Sequence, residues 1–170
     1  MNDAALRAQY VAELSLIEAT LRELGLDTTL DEHGDPTPML AADLGDDGSG
    51  DQRTMIVTIE SEGLFADTED VHFTVVLPFD VPADRNADVE RAIPIVNRSV
   101  ATGRFELAGS TIAYEHVLTV DASTTVSDDE LRQLVPNLVD EQERYGDYLH
   151  GVVDGEISVA VLADVIAAGD

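Results

Sequence analysis

No lysine, cysteine or tryptophan occurs in this 170-residue chain. The absence of cysteine excludes disulfides and thiolate chemistry and takes from zinc its commonest ligand. The absence of lysine excludes a phosphate loop of the GxxxxGK(S/T) kind. Positive charge of any sort is scarce. Arginine supplies all 9 basic residues against 35 acidic ones, for a formal net charge of -26. A polyanion repels phosphate backbones and anionic lipid surfaces, so neither nucleic acid nor membrane is an expected partner. Long apolar runs are missing too: none approaches the roughly 20 residues that span a bilayer. The opening "MNDAALRAQYVAEL" has no basic segment followed by an apolar run, so no secretory signal is expected and the cytoplasm is the expected compartment.

What is present is enough for a core. Hydrophobic residues make up 44% of the chain, and the length suits one domain over residues 1–170, with 151–170 an appended tail or interface element. Self-repulsion at this charge opposes compactness at low salt and relaxes as ions screen it. The acidic, lysine-free composition therefore reads as a solvent adaptation of the halophilic kind or as the mark of a GC-rich genome.

Periodicity places the elements. Leu6, Tyr10, Leu14, Ile17, Leu21 and Leu24 recur at helical spacing, with Asn2 or Asp3 to cap the start and Gly25 placed for a left-handed C-terminal residue. Two short strands follow, near 27–32 and 38–44, then the turn or loop "GDDGSGD". "RTMIVTIE" and "VHFTVVLPF" alternate as strands, one aligning Met55, Val57 and Ile59, the other Val71, Phe73, Val75 and Leu77. From about Asp84 the period turns helical through Val89, Ile93, Val96 and Val100. Pro94 predicts a kink or a broken first turn, and Gly103 a helix stop. Gly109-Ser110 reads as a hairpin turn that pairs Leu107 with Ile112, Phe105 with Tyr114 and Arg104 with Glu115. Ser127 and Glu130 form a capping-box pattern ahead of a long helix bearing Leu131, Leu134, Leu138, Tyr145 and Leu149, with Pro136 inside it. The tail is apolar on most sides and reads as a small helix or a strand. The expected fold is α+β, an antiparallel sheet flanked by helices in the order α-β-β-β-β-α-β-β-α.

Candidate chemistry is thin. The acidic loop 43–51 resembles a calcium loop at Asp43, Asp47 and Gly48, but Gly45 and Thr54 stand where ligands are required, so a solvated loop is the better reading. Asp31, His33 and Asp35 could form a metal triad on a strand, yet Gly34 and Pro36 favour a turn. His72 reads as a surface residue, His116 as a hydrogen-bonded residue at the edge of the core, and His150 as a favourable cation at a helix end. Ser49 lacks the glycine that a nucleophile elbow needs two positions earlier. The glycosylation pattern at 97–99 falls in a predicted helix. No catalytic, metal or cofactor-binding residue is assigned, and no enzyme activity is expected.

"NRSVATGRFELAGSTIAYEHVLTVD" followed by "TTVSDDELRQLV" and "ERYGDYL" resembles the YbjN-like sensory transduction regulators, through Asn97, Arg98, Gly103, Arg104, Phe105, Tyr114, Glu115, His116, Asp129, Glu130, Leu131, Tyr145, Tyr148 and Leu149. The resemblance spans about 1–150 and implies a fold like that of type III secretion chaperones, which are typically dimers that hold a client polypeptide. It implies a non-enzymatic, chaperone-like or regulatory module that binds another polypeptide or itself as a homodimer. The candidate interface is Tyr145, Tyr148, Leu149, Val159, Val161, Leu162, Val165 and Ile166, residues that could equally complete the chain's own core. The alternative is a small-ligand or divalent-cation binding protein.

Overall fold

The computed structural model describes residues 3–34, 37–46, 52–60, 68–121 and 124–169. Four helices and six strands are described, in the order α1 (Asp3–Glu23), β1 (Asp27–Asp31), β2 (Met39–Asp46), β3 (Gln52–Glu60), β4 (Thr68–Asp80), α2 (Asn86–Val96), β5 (Arg104–Ala108), β6 (Thr111–Asp121), α3 (Asp128–Val153) and α4 (Val159–Gly169). The strands form one antiparallel sheet ordered β1-β2-β3-β4-β6-β5. This is the expected α+β class and order, with the apolar tail resolved as a fourth helix. Two compact units divide the chain: residues 1–74 with 117–136, and residues 75–116 with 137–170.

In the first unit, α1 lies against β1, β2 and β3. Its stripe buries Tyr10, Leu14, Ile17 and Leu21, while Leu6 and Leu24 at its ends are half-buried. The helix stops as expected. Gly25 takes φ +90°, Leu26 N–H donates to Leu21 O at 3.1 Å and Gly25 N–H to Arg22 O at 3.0 Å, the two bonds of a Schellman motif. Asn2 lies outside the described residues. On β3 the row Met55, Val57, Ile59 is fully buried, and β4 buries Val71 and Phe73 in the same way. Alternation along half-buried strands therefore set the phase correctly. The capping box at the start of α3 is reciprocal: Glu130 N–H donates to Ser127 Oγ at 3.3 Å, and Ser127 N–H and Oγ–H donate to Glu130 Oε2 at 3.2 and 2.7 Å. These bonds hold the Glu130 carboxyl below its ordinary value.

In the second unit, α2 packs against α4 and β5 and buries Val89, Ala92, Ile93 and Val96. Three expectations need correction here. The helix ends at Val96, so Val100 lies beyond it. Pro94 sits in its last turn and not in its first, so it breaks no first turn. Gly103 is not the stop. It lies seven residues past the helix with no positive φ, and glycine is required because the Tyr114 ring leaves no room for a Cβ. The hairpin was read correctly: Arg104 pairs with Glu115, Phe105 with Tyr114 and Leu107 with Ile112, around Gly109 at φ +66°.

Candidate functional site

The stretch 97–105 joins α2 to β5 without regular structure for most of its length. A segment with so few ladder bonds must find partners elsewhere for its backbone groups. It finds them in side chains of its own unit. Asn97 closes both ends of the Phe105 peptide, donating Nδ2–H to Phe105 O at 2.9 Å and accepting from Phe105 N–H at Oδ1 at 2.7 Å. Glu141 on α3 accepts from Ala101 N–H at 2.8 Å and Thr102 N–H at 3.0 Å. The same carboxylate accepts the phenol of Tyr114 at 2.8 Å. His116 donates through Nδ1 to Thr102 O, and Tyr145 donates its hydroxyl to Ser99 O at 3.0 Å. Burial, then the hydrogen bond and negative charge of Glu141, push the Tyr114 phenol well above its ordinary range. Arg104 stays at the surface between Glu106 at 2.9 Å and Glu115 at 3.1 Å. The motif residues are thus joined into a latch that fixes a loop, which is a structural job.

The eight candidate interface residues fall into three groups. Tyr145, Leu149, Leu162 and Ile166 are buried in the second unit. Tyr148 and Val159 are half-buried. Val161 and Val165 face solvent at 50% and 39% exposure. The division follows from helical geometry. Ser158 starts α4, its hydroxyl accepting from Val161 N–H at 3.3 Å and its carbonyl from Leu162 N–H at 2.9 Å. Positions 162 and 166 then point one way and positions 161 and 165 another. Ala168 continues the outer row, and Asp164 is the one charged residue on the helix.

The histidines and acidic clusters are dispersed. His33 is exposed, its backbone N–H donating to Asp31 Oδ1 at 3.0 Å, and Asp35, the third member of the imagined triad, lies outside the described residues. Arg7 fastens the same turn by donating to Glu32 O and Gly34 O, each at 3.1 Å. Asp43 accepts from Gly45 N–H at 2.8 Å and Gln52 Nε2–H at 2.6 Å; residues 47–51 of the acidic loop, Ser49 included, lie outside the described residues. His72 is half-buried near Glu60 at 3.8 Å. His150 stacks on Phe79 with ring centroids 4.5 Å apart and lies 3.4 Å from Asp154. Among the described residues no three histidine or acidic side chains group as a metal would need. An open depression of about 180 Å³ is lined by Val76, Leu77, Pro78, Phe79, Asp80 and Thr111, a lining with one carboxylate and no partner base.

Periodicity missed one polar cluster. Glu13 and Glu69 are 5% and 3% exposed in the first unit. Glu13 stands on the flank of the apolar stripe, and Glu69 is in phase with Val71 and Phe73, a signal that alternation offered and that residue type masked.

The family profile of YbjN, described as "Putative bacterial sensory transduction regulator", matches residues 13–151. The chain belongs to the YbjN family. No curated protein matches it. The matched span begins inside α1 and ends near the end of α3, so it takes in the whole sheet and the latch around Asn97, Gly103, Phe105 and Tyr114. α4, with its outward valines, lies beyond the YbjN match. The family description points to a non-catalytic regulatory or interaction role. No helix among the described residues is long and apolar enough to cross a membrane.

Proposed function

We propose that this YbjN chain is a cytoplasmic interaction module, regulatory or chaperone-like, that works by binding a polypeptide and not by catalysis. The observation that carries the reading is the outer row of α4. Val161 and Val165 stand one helical turn apart and exposed, on a helix with a single acid in a chain of net charge -26. Burying a valine side chain contributes about 1.5 kcal/mol or more, so covering the row would stabilise a complex. A second copy of the chain is the proposed occupant. Two such polyanions repel wherever their acidic surfaces meet, and a helix with Asp164 as its one charge is where that repulsion is least. Leu162 and Ile166 on the same helix are buried on its other side.

Sedimentation equilibrium at rising salt tests this. A dimer should form as screening strengthens, and the double variant V161D/V165D should stay monomeric while melting close to the wild type at low salt, where both are monomers. A wild-type chain that is monomeric at every salt concentration overturns the second copy as occupant. For the divalent-cation side of the competing reading, a small-ligand or divalent-cation protein, no three histidine or acidic side chains group together among the described residues.

A further inference from the structure

Two carboxylic acids are buried in the first unit where its apolar pattern would be expected to continue. Glu13 on α1 and Glu69 on β4 are each more than nine-tenths buried. They hydrogen-bond to each other, and Gln9 donates Nε2–H to Glu69 Oε1 at 3.0 Å. Glu13 Oε2 and Glu69 Oε2 are buried and accept no hydrogen bond from any other described group. Two ionised carboxylates accept hydrogen bonds and donate none, so a carboxyl pair joined this way holds a proton between its members.

Charged and polar groups on the neighbouring elements have partners of their own. From α1, Arg7 reaches the carbonyls of Glu32 and Gly34, and the Tyr10 hydroxyl is buried beside the same stripe. From β3, Arg53 is buried and donates to Asp46 O at 3.0 Å, and Glu60 sits with His72. Asp70 accepts from Thr119 on β6 at 2.7 Å. At the start of α3, Asp128 accepts from Thr20 at 2.8 Å. Burial comes first, then the charge of Glu69 and its hydrogen bond, and together they push the Glu13 carboxyl up to about 7.

We propose that Glu13 and Glu69 form a proton-operated clasp, which fastens α1 to β4 while it holds its shared proton and loosens when that proton leaves. When the proton leaves, two buried negative charges face each other with neither water nor a shared hydrogen bond to stabilise them. Moving α1 outward rehydrates both and uncovers the stripe of Tyr10, Leu14, Ile17 and Leu21. The sign is fixed by linkage. The opened state has an ordinary carboxyl and the closed state a raised one, so opening releases a proton between those two values and becomes easier as pH rises through that window.

Hydrogen exchange of the α1 amides, corrected for intrinsic chemistry, reads this directly. The opening constant should rise about tenfold per pH unit between roughly pH 5 and 7 and level off above. In Glu13→Gln, which keeps a donor for Glu69 without a titrating proton, it should be flat. A wild-type slope retained in Glu13→Gln overturns the clasp. Should that variant not fold, infrared spectra of the wild-type chain decide: a protonated carboxyl band that disappears as pH rises through about 7 supports the clasp, and no such band at neutral pH overturns it. Replacing choline chloride by potassium chloride at equal ionic strength should leave the slope unchanged. Loss of the slope in potassium would mean that a metal cation, and no proton, neutralises the pair.

Discussion

Gly103 lies against the ring of Tyr114 so closely that a Cβ on it would stand 2.6 Å from Cζ and 2.7 Å from the Glu115 carbonyl oxygen. Neither neighbour can give way. The carbonyl belongs to the β5–β6 hairpin, and the ring is fully buried with its hydroxyl tied to Glu141. Gly103→Ala should therefore cost about 2–3 kcal/mol by overpacking, measured as a shift in the urea midpoint at constant slope. Gly109→Ala is the control. It has open space but φ +66°, so backbone conformation alone opposes it, at about 1 kcal/mol. Equal costs at the two sites would mean that the Tyr114 contact is not what demands glycine at 103.

Asn97→Ala strands the N–H and C=O of Phe105 at the edge of a buried strand residue. Each group left unpaired costs about 1–3 kcal/mol, so this variant should be among the most destabilised that a surface loop can yield. Asn97→Asp keeps the acceptor for Phe105 N–H, loses the donor and brings a charge beside Phe105 O, and should recover little. Thermal unfolding of the two variants beside the wild type checks the order.

The Tyr114 phenol is raised above its ordinary value by burial and by Glu141. Its folded-state proton is held more tightly than in the unfolded chain, so its contribution to stability is complete below about pH 10 and is lost as pH rises beyond that. In an ultraviolet titration the phenolate of Tyr114 should appear only with unfolding, and Tyr114→Phe should remove that late component. An ordinary midpoint for all tyrosines in the folded chain would contradict the Tyr114–Glu141 bond.

The capping box at α3 works in the opposite direction. Glu130 is lowered by its bonds to Ser127, so its contribution is present above the ordinary carboxyl range and disappears as pH falls through its lowered value. Ser127→Ala should cost about 1 kcal/mol at neutral pH, and the difference from wild type should shrink in acid.

A formal charge of -26 should make the melting temperature climb with salt through screening. Calcium and sodium chlorides compared at equal ionic strength should give the same rise. An excess with calcium would favour the cation reading of the 43–51 loop.

Much of this protein was legible in its residue order because the signals were local. Leu14, Ile17 and Leu21 sit at helical spacing, Met55, Val57 and Ile59 at strand spacing, and Gly25, Gly109 and Ser127 at positions whose backbone geometry or orphan N–H groups name the residue types that serve them. Tertiary structure alone decided what depends on neighbours far along the chain. Glu141 reaches back about 40 residues to the Ala101 and Thr102 amides. Gly103 is glycine because of a ring brought over it by the hairpin, and Glu13 meets Glu69 only across a helix and a strand. Spacing reports which face a residue shares. It carries no information about what that face will touch, because contact is set by the packing of elements and not by their period.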